Sequence, residues 1–311
     1  MDTAHFRFIP AHEVMARATP RDAMAAIEEA FAAGARGELT GSTSLGLAVP
    51  DGTFHAKACA SLGGAFGRLF VTKVNANFPA NPVARGLPTI QGVIAVFDAS
   101  DGQLLALVDS PSVTNLRTAA TSAVAIKHLA RADARSAAII GCGVQGHAHA
   151  DVLAECMTLD HLLLYDVDGA RARKLADRAG PRAQVATSLH AAALASDVIV
   201  TCTPSLVPIL HAADVKPGTL IVAVGADNER KCEVDSSVLA GARIVADDTA
   251  QARKTGDAKQ LADSRIEGDM ADVVAGRIRR VASDEIVVFD SSGLAIEDLA
   301  LCAFLLRHPK P

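Results

Sequence analysis

Three glycines, Gly141, Gly143 and Gly146, stand at G-x-G-x-x-G spacing directly after the apolar run 136–140. Cys142, Val144 and Gln145 fill the turn, a helix-like stretch follows, and Asp166 closes the next apolar run, 162–165. Such a turn does one kind of chemistry well. The first glycine permits a tight bend, the second lets backbone approach a pyrophosphate, and the third brings helix and strand together. The helix start then offers free N–H groups and a positive dipole to the phosphates. An acid at the end of the second strand accepts hydrogen bonds from ribose hydroxyls and repels a 2′-phosphate. Asp166 therefore points to NAD rather than NADP.

Other candidates sit where later apolar runs end. Thr201-Cys202-Thr203 follows one run, and Val224-Gly225-Ala-Asp227 follows another. A partly desolvated carboxylate at Asp227 can exchange a proton with a substrate amine or imine, although an acid there can equally cap a loop. Lys73, on an otherwise apolar strand, and Arg117, at the start of an Ala-rich helix, suit a carboxylate substrate, Arg by a bidentate fork and Lys as a point charge. Either can also be a surface cation or half of an ion pair. His147 and His149 have metal-like spacing, but no third ligand is apparent, so a surface or cofactor-adjacent position is expected and no metal is assigned.

These groups need positioning elements, and the chain shows two patterns. An amphipathic helix is expected over 20–36, then closely spaced strands at 44–49, 53–59, 69–75, 93–98 and 104–109, an antiparallel or mixed sheet. A helix at 118–130 bridges into strands at 136–140, 161–165, 183–186, 197–201, 219–224, 243–246 and 286–289. These alternate with helices at 147–157, 169–178, 188–195, 235–240 and 248–254. That rhythm predicts an α/β fold, a Rossmann-type doubly wound parallel sheet, beside a second α+β domain. The expected division is 1–120 with 291–311 for the second domain and 121–290 for the dinucleotide domain. The terminal helix, 294–306, is too apolar to stand exposed and is expected to return to the first domain.

With 311 residues, the chain has mass for two cores. A net charge of −5 gives no electrostatic case for nucleic acid or anionic lipid. No apolar run reaches the ~20 residues of a membrane span, and the first residues lack the pattern of a secretory signal. Six scattered cysteines without C-x-x-C pairs fit free thiols in a cytoplasmic setting.

The pattern resembles the ornithine cyclodeaminase/mu-crystallin family. The resemblance is carried by Phe70-Val-Thr-Lys-Val-Asn75, Gly86-Leu-Pro-Thr-Ile-Gln-Gly92, Leu116-Arg-Thr-Ala-Ala-Thr-Ser-Ala123, the glycine turn, Val224-Gly-Ala-Asp227, and Val288-Phe-Asp-Ser-Ser-Gly-Leu-Ala-Ile-Glu-Asp-Leu299, in family order. It implies a substrate and dimerisation domain whose sheets join as a homodimer. It also implies that Lys73 and Arg117 bind the substrate carboxylate, with Lys73 in the catalytic set, and that Asp227 handles the amine or attacking water. Thr89 and Ser292 would lie on the substrate side, and Lys231 near the cofactor.

Family members interconvert amino and imino acids with NAD, as cyclodeaminases, imine reductases or amino-acid dehydrogenases. Some animal members act mainly as binding proteins. The segment 53–60, Thr-Phe-His-Ala-Lys57-Ala-Cys-Ala, lacks the acid usual in cyclodeaminases, and 41–49 lacks an arginine that many members carry. Lys57 is placed to replace that carboxylate contact or to serve structure alone. The expected function is NAD-dependent hydride transfer at Cα of a small amino or imino acid, imine reduction fitting the missing acid better than ornithine cyclodeamination. The alternative is a dinucleotide binder without turnover. A hydroxy-acid dehydrogenase ranks lower, because no histidine occupies an obvious strand end.

Overall fold

A computed structural model describes residues 6–261 and 265–308. The chain divides into two compact units, one running through Arg117 and resuming at Leu294, the other Thr118–Gly293.

The first unit holds a six-stranded sheet: β1 (Arg7–Ile9), β2 (Thr43–Val49), β3 (Gly52–Leu62), β4 (Arg68–Asn77), β5 (Ile90–Asp98) and β6 (Leu104–Asp109), in the order β1-β6-β5-β4-β3-β2. All pairs are antiparallel except β1 with β6. On β4 the alternation is clear. Val71 and Lys73 are buried, while Phe70 and Val74 on the opposite face are exposed. The covered face meets the helix Ala295–Arg307, which packs on β3 and β4 and against the helix Pro20–Ala35. That second helix begins with a capping box, in which Thr19 and Asp22 each accept the other's backbone N–H and Pro20 opens the first turn. It buries Ala23, Ile27, Ala30 and Phe31 along one stripe. The terminal helix buries Leu299, Leu301, Cys302 and Leu305 within this unit, as its apolar character predicts.

The second unit holds an all-parallel sheet of eight strands: β7 (Ser136–Ile140), β8 (His161–Tyr165), β9 (Ala183–Val185), β10 (Val198–Thr201), β11 (Leu220–Ala223), β12 (Arg243–Ala246), β13 (Ile266–Asp269) and β14 (Val287–Asp290), ordered β13-β12-β14-β11-β10-β7-β8-β9. Strand order reverses beside β7, the switch point where nucleotides bind in such sheets. The central strands β7, β10, β11 and β14 are buried throughout, which explains their unbroken apolar runs.

The structure changes three expectations. The bridging helix runs Ser110–Leu129, starting well before 118, because the Asp109 carboxylate accepts the Ser112 N–H at 2.9 Å and Pro111 suits a first turn. Arg117 consequently lies two turns inside the helix. His149 is fully buried rather than at the surface. Strands β1 and β13 and the helices Ala11–Arg17 and Met270–Val274 are added, each too short to carry a periodic signal.

Candidate functional site

The second unit contains a cleft of about 520 Å³ at the carboxyl ends of β7, β8 and β10. Gly141, Gly143, Asp166, Cys202 and Thr203 line it together with Arg171. Gly141 takes φ +103°, a conformation that favours glycine, and its N–H donates to the Tyr165 carbonyl at 2.8 Å. A Cβ on Gly146 would lie 2.3 Å from the Gly141 carbonyl oxygen, so only glycine lets the helix Val144–Cys156 sit this close to the turn. Gly143 caps that helix without a side-chain bond, leaving first-turn N–H groups for a ligand. Exposed Val144 and half-buried Gln145 form the first turn. The arrangement fits a dinucleotide: glycine backbone and a helix start for the pyrophosphate, and an acid for the ribose.

That acid is held in place. Asp166 Oδ2 accepts the Cys142 N–H at 2.8 Å, and Oδ1 accepts the Asp168 N–H at 2.8 Å. Cys142 and Cys202 flank it, and burial pushes both thiols up, Cys142 to about 12, so neither is a ready nucleophile. Thr201 is buried, and its hydroxyl donates to Glu233 at 2.8 Å.

Val224 and Gly225 are buried at the end of β11, but Asp227 is exposed. Its side chain keeps 57% of its surface and pairs with Lys231 Nζ at 2.8 Å, one helical turn's spacing along the loop. The expected partial desolvation of Asp227 is therefore not what the structure holds, since the loop after β11 turns the carboxylate outward. Ser292 is buried. Its hydroxyl donates to Asp247 at 2.8 Å and accepts from Gln251 at 2.9 Å, so it is engaged with its own unit. His149 donates from Nδ1 to the Gln145 carbonyl at 2.8 Å, which assigns Nε2 as the acceptor facing Ser122 Oγ, also at 2.8 Å. It is a core residue tying two helices together. Among the described residues, no cluster of three or more His, Cys, Asp or Glu is placed to hold a metal ion.

In the first unit, Lys73 and Arg117 come together over the terminal helix. Lys73 Nζ lies 2.6 Å from Asp298 Oδ2. The Arg117 guanidinium reaches Glu297 at 2.6 Å and Asp298 at 3.5 Å. Both acids are fully buried, and both cations nearly so. Burial pushes Lys73 down to about 8, while Asp298 draws it back up. Lys57 faces Lys73 directly across β3 and β4. Thr89 is half-buried ahead of β5, its carbonyl accepting the Phe78 N–H at 2.8 Å. Glu297 and Asp298 were visible in the stretch Ile296-Glu-Asp-Leu299, yet nothing in residue type alone marked them as partners of Lys73 and Arg117. Glu233, Asp247 and Asp257 were likewise unforeseen, since sequence spacing does not reveal which backbone amides a buried carboxylate will reach.

The alanine dehydrogenase of Archaeoglobus fulgidus is 34% identical over 296 residues, spanning 92% of this chain and 90% of that protein. A solved archaeal alanine dehydrogenase dimer with bound NAD superposes with a TM-score of 0.91 at 31% identity, covering 97% of this chain and 95% of that one. The Thermococcus litoralis Δ1-pyrroline-2-carboxylate reductase, solved with NADH and L-proline, gives 0.91 at 25% identity, covering 97% of each chain. A family model matches residues 7–307, and the chain belongs to the ornithine cyclodeaminase/mu-crystallin family.

Proposed function

We propose that this protein is an enzyme that uses NAD to move hydride at Cα of a small α-amino or α-imino acid. The observation that carries the reading is the cleft at the Gly141–Gly146 turn, with Asp166 oriented on its wall. When bound, the nicotinamide supplies or accepts the hydride. Gly143 and the first turn of Val144–Cys156 hold the pyrophosphate. Asp166 takes the ribose hydroxyls, and Thr203 and Cys202 line the same cleft. Thr201, Val224 and Gly225 are buried at the ends of the neighbouring strands β10 and β11. Lys73 and Arg117 bind the substrate carboxylate. Their own carboxylates, Asp298 and Glu297, keep the cations oriented and tolerable in a buried setting. Thr89 and Ser292 complete the substrate side.

Asp227 gives a proton to the nitrogen during reduction or takes it during oxidation, and its Oδ1 lies 2.8 Å from Lys231 Nζ. The reductive direction on an imine is favoured, because segment 53–60 carries no acid to receive a second, cationic amine. The free cysteines suit a reducing, cytoplasmic compartment. We further propose a homodimer joined through the open sheet face of the first unit, where Leu45, Leu47, Phe54, Phe70 and Val74 stand exposed.

A substrate panel tests the reading. NADH oxidation is followed with pyrroline- and piperideine-2-carboxylate and with α-keto acids plus amine, while L-ornithine with catalytic NAD⁺ is examined for proline and ammonia. Oxidation with one or more imines supports the proposal. Ornithine consumed without NADH accumulation shifts it to cyclodeamination, and no NADH binding with no turnover of any substrate overturns it.

A further inference from the structure

Glu233 is fully buried, yet it does not line the cofactor cleft and the chemistry above does not use it. Its carboxylate accepts three hydrogen bonds. Oε1 accepts the Thr203 N–H at 2.6 Å, and Oε2 accepts the Gly225 N–H at 2.7 Å and the Thr201 hydroxyl at 2.8 Å. One side chain thus binds the segments that leave two neighbouring strands, β10 and β11. Thr203 belongs to the cleft wall, whereas Gly225 begins the loop that carries Asp227 and Lys231. Because Glu233 also ends that loop, its carboxylate joins the two feet.

The local sequence is shaped to this contact. A Cβ on Gly225 would fall 2.3 Å from the Thr203 carbonyl oxygen and 2.4 Å from Glu233 Cδ, so glycine is what lets the carboxylate reach. Glu233 is anchored in turn. Its N–H donates to Asp257 Oδ1 at 2.8 Å, and the Asp257 and Ala258 N–H groups donate to Asp290 at 3.1 and 2.8 Å. Its carbonyl accepts from Ile209 and Leu210 at 2.8 and 3.0 Å. A succession of buried carboxylates, each gripping the backbone that bears another, runs from the end of β14 to the cleft wall.

We propose that Glu233 is a positioning residue for the proposed reaction: by holding the Thr203 and Gly225 amides it sets both the wall that receives the cofactor and the loop that presents Asp227. The inference rests on the functional reading given for that cleft and that acid. It extends the reading by making cofactor affinity and proton delivery depend on one group that touches neither ligand.

The test compares wild type with Glu233→Gln and Glu233→Ala. The glutamine keeps the shape but turns an NH₂ toward one of two amide donors. Three quantities are measured: NADH affinity by fluorescence of the bound reduced nicotinamide, hydrogen exchange at the Thr203 and Gly225 amides, and steady-state kinetics on the best imine. Glu233→Gln is expected to weaken NADH about tenfold, speed exchange at those two amides by a similar factor, and lower kcat while leaving the imine KM little changed. Glu233→Ala moves the same way and further; where it does not fold, the glutamine variant decides. Unchanged NADH affinity and exchange in Glu233→Gln overturn the inference. So does faster exchange spread evenly over β10 and β11, which marks a merely stabilising residue. A wild type that binds no NADH defeats the functional reading, and the exchange contrast at Thr203 and Gly225 still decides whether Glu233 holds the two loops.

Discussion

The ammonium of Lys73 lies 2.6 Å from the Asp298 carboxylate, on a sheet strand and a terminal helix separated by more than two hundred residues of chain. Removing Lys73 leaves the fully buried Asp298 with Arg117 at 3.5 Å in place of an ammonium at 2.6 Å. Lys73→Met is expected to cost about 3–5 kcal/mol in urea unfolding, while Lys73→Met with Asp298→Leu recovers most of that loss. In the folded fraction, the imino-acid KM should rise about tenfold or more as the carboxylate loses a cation. A single variant as stable as wild type would show that the pair is dispensable.

Asp227→Asn keeps the size of the side chain and removes the proposed proton-transfer group. Turnover should fall by about two to four orders of magnitude, with NADH affinity nearly unaltered. Stopped-flow reduction and a binding titration separate the two, and an unchanged rate would remove Asp227 from the proton-transfer role.

Asp166→Ala removes the proposed ribose acceptor, and with it the negative charge that would oppose a 2′-phosphate. NADH binding should weaken about tenfold, with a clearly smaller effect on NADPH. Fluorescence titrations with both cofactors check this, and equal losses would defeat the ribose assignment.

His149 is held neutral by burial, its value pushed down to about 4. The folded-state value lies below the unfolded one, so on acidification the unfolded chain takes up the proton first and stability falls. From neutrality to about pH 5 this amounts to about 2 kcal/mol. His149→Gln should lose that part of the slope in urea titrations at several pH values, and an identical slope would place the acid sensitivity elsewhere.

Leu45→Glu combined with Leu47→Glu puts two charges on the open sheet face. Sedimentation should show wild type as a dimer and the variant as a monomer that retains NADH binding. A wild-type monomer at micromolar concentration would argue against this interface.

The parallel sheet was legible because its central strands are buried on both faces and read as largely apolar runs between turn residues, as at 136–140 and 220–223. The glycine turn announced itself because Gly141 and Gly146 have no tolerable substitute at a left-handed bend and a 2.3 Å approach. What stayed hidden were relations over long sequence distances, such as Arg117 with Glu297 and Glu233 with Thr201. A carboxylate buried against amides looks, in sequence, like any surface acid. The exposure of Asp227 was hidden for the same reason: Gly225, at the foot of its loop, donates its N–H to the distant Glu233 at 2.7 Å, and Asn228 beside the acid closes the turn by accepting the Arg230 N–H at 3.0 Å.

Asp166 is braced from both oxygens by backbone amides. Its rotamer is therefore frozen during folding instead of at the moment of encounter, and on the proposed reading a ribose meets an acceptor already aimed. The entropy of aligning that side chain is charged to the fold, which leaves more of each new hydrogen bond available as affinity.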